Sequence, residues 1–232
     1  NGISFLIMPF ASDVAVFYAK EAPNTTNLFI NPIVGWISGF DLATDSSAKV
    51  YDGVTGAAYG DKAVALHICL PDDKMASLGI VNIFSADEND TKIVFTEDTL
   101  SVTKCLVNGK EVVLSDYISE NKIDTKLPLV ADYNSVLVNV SIKSISEENK
   151  TVDFYAPVFT GKEYSFARPV SNYAASFREQ LQSLKDVKPV FSCNCILNYL
   201  YGELEGKATP PFAGPVTFGE IAYQLLNQTL VY

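Results

Sequence analysis

Residues 102–114 read VTKCLVNGKEVVL, two apolar runs hinged on Asn108-Gly109. Asn-Gly suits a two-residue hairpin turn, because both central residues of that turn need positive φ. The runs on either side, Val102 to Val107 and Glu111 to Leu114, are therefore read as paired antiparallel strands. Further along, Val136, Val138, Val140 and Ile142 alternate with Leu137, Asn139, Ser141 and Lys143. Glu147-Glu148-Asn149 then turns the chain into Thr151 to Val158, which predicts a second hairpin.

On the N-terminal side, Ile3 to Met8 is a strand-length apolar run, and Val14 to Tyr18 is read as another. Ala63 to Leu70 (AVALHICL) has the period-2 alternation of a strand with two unlike faces. Between them, Gly35 to Gly60 holds glycines at irregular spacing, suited to turns and close backbone approach. Leu78 to Phe84 and Lys92 to Phe95 are the next expected strands. Toward the end, Tyr173, Phe177, Leu181 and Leu184 recur at helical spacing after Ser171, the expected N-cap. Val187 to Ser192 is read as a strand entering a helix from about Cys195 to Leu204, and a final helix is expected to begin near Phe218. Strands and helices in separate blocks predict an α+β fold, with mixed, largely antiparallel sheet layers covered by helices.

Composition limits the function classes. The chain has 232 residues, 27 Asp plus Glu against 17 Lys plus Arg, and a net charge of −10, which repels nucleic acid and anionic membrane surfaces. Its apolar runs are too short for a spanning helix, and no basic segment followed by an apolar core marks a signal peptide. The first residue is not Met, so a trimmed leading segment stays open. Four cysteines are too few for a disulfide scaffold in a chain this long, which points to reduced thiols and a cytoplasmic location. Asn-x-Ser/Thr triplets at Asn24, Asn89, Asn139, Asn149 and Asn227 count only as composition without secretion.

The densest polar group is Phe191-Ser192-Cys193-Asn194-Cys195, followed by Asn198, Glu203 and Glu205. A strand turning into a helix presents side chains and free N–H groups at one rim, a common place for a ligand. In that helix Asn198 and Glu205 would share a face. The plainer reading packs Cys193 and Cys195 as small apolar residues and leaves the acids to solvate the helix. A catalytic thiol needs a base or cation beside it, and the single histidine, His67, is distant in sequence. Thr217 and Glu220 have the spacing of a capping box, which would explain both without a ligand. Gly219 in that first turn calls for close approach of a ligand or another chain segment. His67 shares a strand face with Ala63, Ala65 and Cys69, leaving room for a flat cofactor such as haem, although a hydrogen-bonded core histidine is the commoner case. Arg168, near a strand-to-helix passage, is suited to clamping a carboxylate or to a surface ion pair.

The stretches FSCNCILNYLYGELEG (191–206) and GPVTFGEIAYQLLNQT (214–229) resemble the C-terminal half of the FIST sensory domain family. LVNGKEVVLSDYI, SVLVNVSIKSI and KTVDFYAPVFTGKEY resemble its hairpin and following strands, and IVGWISGFDLA and YDGVTGAAYGDKAVALHICLP its glycine-rich N-terminal portion. Cys193 and Phe218-Gly219-Glu220-Ile221 are the more specific parts. Members often carry an Arg shortly after the Cys, and Asn194 to Asn198 here has none. The resemblance implies an N-terminal-like half at 1–100, short at its start, and a C-terminal-like half at 101–232, together one compact unit. It also implies an intracellular module that senses an amino acid or similar small molecule and signals through partner proteins. The ligand residues would be Cys193, Asn194, Asn198, Thr217 and Glu220, joined by Arg168, with no metal or cofactor. A Cys-dependent hydrolase or transferase and a haem-based gas sensor through His67 are the alternatives.

Overall fold

The computed structural model describes residues 1–44, 46–86, 91–134 and 136–232; Asp45 and the Asn89 triplet lie outside the described residues. The fold is α+β, with largely antiparallel sheets. Its helices among the described residues are α1 (Asp13–Glu21), α2 (Leu114–Glu120), α3 (Tyr173–Ser183) and α4 (Ile196–Tyr201). Two compact units divide the chain, Asn1–Ile83 with Asn172–Tyr232, and Phe84–Ser171. The two ends of the chain thus fold together in the first unit.

In the first unit a five-stranded sheet runs in the order Gln224–Leu226, Glu220–Ala222, Ile33–Ser38, Gly2–Pro9, Val64–Cys69. Gly2–Pro9 pairs parallel with Ile33–Ser38, and the other pairs in this sheet are antiparallel. A side chain on Gly35 would run into the Leu6 backbone, so glycine lets these two strands meet. A second sheet runs Val216–Thr217, Cys193–Cys195, Leu230–Val231, Ile80–Val81. Val81 and Leu230 from it join Phe177 and Leu181 of α3, with Leu204 and Phe212, in a buried apolar cluster.

The regular structure of the second unit is mostly strand, with α2 beside it. Six antiparallel strands run Lys110–Val113, Lys104–Val107, Ile93–Val94, Glu163–Phe166, Leu129–Asp132, Leu137–Val140, and three more run Ile142–Ser146, Thr151–Val158, Thr99–Val102. Asn108 (φ 49) and Gly109 (φ 80) turn the first hairpin with both φ positive, as that turn requires. The second hairpin pairs Ile142–Ser146 with Thr151–Val158. Ile93, Phe95, Val152, Phe154 and Val158 are buried, and Phe95 meets Phe154 and Tyr164 edge-on.

Several local expectations are corrected. Val14 to Tyr18 is helix, not strand: Ser12 caps Ala15 N–H, and Ala15 and Ala19 bury one face at four-residue spacing. The Val187 to Ser192 strand is absent, and the pairing begins instead at Cys193–Cys195. The N-cap of α3 is Asn172 rather than Ser171; its side chain accepts the Ala175 N–H at 2.9 Å. The helix after Cys195 stops at Tyr201, which leaves Glu205 beyond it and exposed, so Asn198 and Glu205 share no helix face. No helix begins near Phe218. The segment there forms strands Glu220–Ala222 and Gln224–Leu226, turning at Tyr223 with φ 59. A Thr/Glu capping pattern and a short buried hairpin share the same spacing, and pairing with Ile33–Ser38 decided between them.

Candidate functional site

The C-terminal strands bury an unusual set of polar residues. Asn198, Thr217, Glu220, Asn227, Gln228 and Thr229 are each no more than 1% exposed. Glu220 is at the centre. Its Oε1 lies 2.6 Å from Thr217 Oγ1, and its Oε2 accepts from Thr229 Oγ1 at 2.8 Å and Thr229 N–H at 3.3 Å. The Cys195 thiol also hydrogen-bonds this carboxyl. Burial pushes the Glu220 pKa up to about 8 against these hydrogen bonds, which pull it down. The geometry agrees with a neutral acid. Thr217 has one hydroxyl proton but two acceptor neighbours, Glu220 Oε1 and the Asn194 carbonyl at 3.3 Å. A protonated Glu220 donates to Thr217, which then donates to Asn194, and every group in the chain is satisfied.

A second run of side chains continues from Asn194. Its Oδ1 accepts from Asn198 Nδ2 at 3.0 Å, and Asn198 Oδ1 accepts from the Tyr173 hydroxyl at 2.6 Å. Gln228 Nε2 donates to the same Tyr173 oxygen at 3.2 Å. Strand Cys193–Cys195 holds Asn194 at the start of this run, fixed between Val216–Thr217 and Leu230–Val231. Asn194 also faces outward. With Ser192, Tyr199, Lys207, Thr209 and Gly214 it lines a cavity of about 290 Å³. Lys207 brings a cation to that wall. The volume lies at the small end of the range for ligand sites.

Of the residues singled out in the sequence, Asn194, Asn198, Thr217 and Glu220 therefore belong to one connected cluster, only Asn194 among them lines the cavity, and Cys193 lies outside the hydrogen-bonded run. Thr217 and Glu220 form no capping box: their side chains bond to each other across a strand turn, and no helix starts there. Gly219 is explained by chain segments: a Cβ there would stand 3.1 Å from Asn227 Nδ2 and 3.2 Å from Leu226 O. Arg168 is exposed in the other unit. Tyr173, Gln228, Thr229 and Lys207 are the members that sequence reasoning missed. Gln228 and Thr229 sit in the NQT triplet, a polar run with no apolar alternation to explain it as strand.

Neither cysteine is set up as a thiolate. Burial raises both pKa values, and Glu220 raises them further. Cys193 Sγ donates to the Gly35 carbonyl at 3.3 Å. His67 lies on the exposed strand Val64–Cys69, with Nδ1 2.9 Å from Ser4 Oγ, so it is hydrogen-bonded but not a core residue. No group of three or more His, Cys, Asp or Glu side chains suited to a metal ion occurs among the described residues.

Larger clefts exist elsewhere. One of about 460 Å³ borders Tyr117, Asn121 and Ser165, and one of about 420 Å³ borders Ser115, Lys122 and Lys150. The smaller cavity is preferred because a buried polar network ends on its wall, and size without convergent polar groups is a weaker sign. The chain belongs to the family of unknown function DUF6976, whose model matches residues 1–232. No curated protein and no solved structure matches it. That family description carries no activity, so the chemistry of the site rests on its side chains. No helix among the described residues is long and apolar enough to cross a membrane. Asn139 and Asn227, two of the Asn-x-Ser/Thr positions, are fully buried and closed to modification in the folded chain.

Proposed function

We propose that this chain is an intracellular sensory domain that binds an amino acid or similar small molecule in the cavity bordered by Asn194, Tyr199, Lys207 and Thr209. One observation carries the reading. Asn194 is at once a cavity wall and the first member of the hydrogen-bonded run to Asn198, Tyr173 and Gln228. A ligand that engages the Asn194 side chain competes with the bond from Asn198 and so reaches the buried network. Lys207 favours a ligand with a carboxylate, and the Thr209 and Tyr199 hydroxyls suit its polar remainder. The likeness of residues 191–206 and 214–229 to the FIST family supports the same function, with signalling passed to a partner protein. A Cys-dependent enzyme draws no support from two buried thiols with raised pKa values.

The test is isothermal titration of the protein with amino acids and small organic acids. Saturable binding to at least one of them, lost in Asn194→Ala and weakened for carboxylates in Lys207→Ala, is the expected result. Binding that both variants retain unchanged would place the site elsewhere.

A further inference from the structure

Sheet edges carry unpaired backbone N–H and C=O groups, and proteins usually guard them. The five-stranded sheet has two edges, and they differ sharply. Gln224–Leu226 is three residues long and buried throughout. Val64–Cys69 is twice that length, and five of its six residues are exposed, among them Leu66 at 58% and Ile68 at 40%. It contains no proline and no Lys, Arg, Asp or Glu, and its register with Gly2–Pro9 has no bulge. None of the usual guards is present.

We propose that Val64–Cys69 pairs with the same strand of a second copy of this chain, antiparallel across a two-fold axis, to make one continuous sheet. The backbone limits the register to a few choices. Leu70 N–H points inward to Asn1 O at 3.2 Å, and Leu70 stands opposite Asn1 when the printed pairing of Gly2 with Cys69 is extended by one residue. In an antiparallel ladder the direction alternates, so Leu66 and Ile68 also bond inward, while Ala65, His67 and Cys69 present N–H and C=O to the free edge. Two copies must therefore join through these odd-numbered residues. Two such two-folds overlap five residues of each strand, one at Leu66 and one at His67, and the one at His67 is chosen because it sets Lys62 opposite Asp72. It sets His67 opposite His67 of the second copy and Ala65 opposite Cys69, each pair exchanging two N–H···O bonds. Ala63 would come next, opposite Pro71, which has no N–H and ends the ladder.

Side chains fit the same register. Leu66 meets Ile68 of the second copy on one face, joining two exposed apolar groups. Past the strand ends, Lys62 comes opposite Asp72 at both ends of the interface, a complementary pair of charges. Asp73, which comes opposite Asp61, is already beside Lys74 at 3.9 Å. An antiparallel strand is its own complement under a two-fold, which is why a second copy is chosen over an unlike partner.

Sedimentation velocity of the whole protein over a concentration series tests this. A reversible dimer is expected. Ala65→Pro removes an outward N–H that has no partner among the described residues and leaves the inward ladder intact, so it should raise the dimer dissociation constant at least tenfold without altering the melting of the monomer. Lys62→Glu should weaken the dimer several-fold, and Lys62→Glu with Asp72→Lys should restore it, because the two positions face each other only in this register. A protein that stays monomeric throughout overturns the proposal. So does a dimer indifferent to both Ala65→Pro and Lys62→Glu.

Discussion

The second unit and the C-terminal segment of the first are both built from short, mostly antiparallel strands, yet the C-terminal segment buries more polar side chains among its apolar ones. In Phe84–Ser171 the buried positions at the centre are Ile93, Phe95, Val152, Phe154 and Val158. In 193–231 the strands bury Thr217, Glu220, Gln224, Gln228 and Thr229 at no more than 1% exposure. An apolar interior is held by area removed from water and tolerates little loss of volume. A polar interior contributes little net stability per hydrogen bond, but each group left without its partner is costly. Gln224 shows the cost directly, since neither side-chain polar atom has a hydrogen-bond partner among the described residues. Such an interior is retained for specificity or function more readily than for stability, and the cavity at Asn194 lies where it comes to the surface.

The contrast gives a graded set of expectations. Phe154→Ala should cost the most, about 3–5 kcal/mol, because it empties the place where Phe154 packs on Phe95. Urea unfolding followed by fluorescence and circular dichroism measures it. A loss below about 1 kcal/mol would mean that the second unit is not held by this core.

Glu220 comes next and has a signature in pH. Glu220→Ala strands the Thr229 N–H and hydroxyl and should cost about 2–4 kcal/mol. Its folded pKa, about 8, lies above the unfolded value of 4.5. A raised acid pKa means that the neutral form favours the fold. Its contribution is full below about pH 4.5, declines as pH rises, and is gone above about pH 8. At ~1.4 kcal/mol per pKa unit the window amounts to a few kcal/mol. Glu220→Gln keeps a neutral donor and acceptor, so its stability should lack this decline and exceed that of the wild type above pH 8. Thermal unfolding from pH 4 to 9 reads it, and parallel curves for the two proteins would mean that Glu220 is ionised in the fold.

Tyr173→Phe is a smaller change. It removes the hydroxyl that donates to Asn198 and accepts from Gln228, for about 1–2 kcal/mol. Smallest is Asn194→Ala, at about 1 kcal/mol of stability, together with complete loss of ligand-induced thermal stabilisation. A large stability loss with ligand binding intact would make Asn194 a structural residue only.

The same contrast explains what could be read in advance. The hairpin at Asn108-Gly109 and the strands around Val138 and Val152 follow from turn chemistry and period-2 alternation, which reports apolar burial directly. Val14 to Tyr18 was misread because a short apolar run has no period of its own, and Ser12 gives the helix start only once its cap is seen. The TFGEIAYQLLNQT segment was misread for a deeper reason. Its polar and apolar residues are buried together, so no alternation marks the strands, and pattern rules place Thr217 and Glu220 on a helix start and leave Gln228 and Thr229 unassigned. The cluster at Cys193 to Asn198 was legible as a crowd of polar residues at a strand end. Tyr173 and Lys207 entered through tertiary contacts that no local pattern encodes.

The most direct measurement is a ¹H–¹⁵N NMR titration of the protein with the amino acids and organic acids used for calorimetry. The expected result is that the side-chain amides of Asn194 and Asn198 and the backbone amides of Cys195 and Thr229 shift together, with one dissociation constant. Shifts confined to the clefts around Tyr117 or Ser115, or no shifts anywhere in 192–230 at millimolar ligand, would contradict the assignment of this cavity as the sensing site.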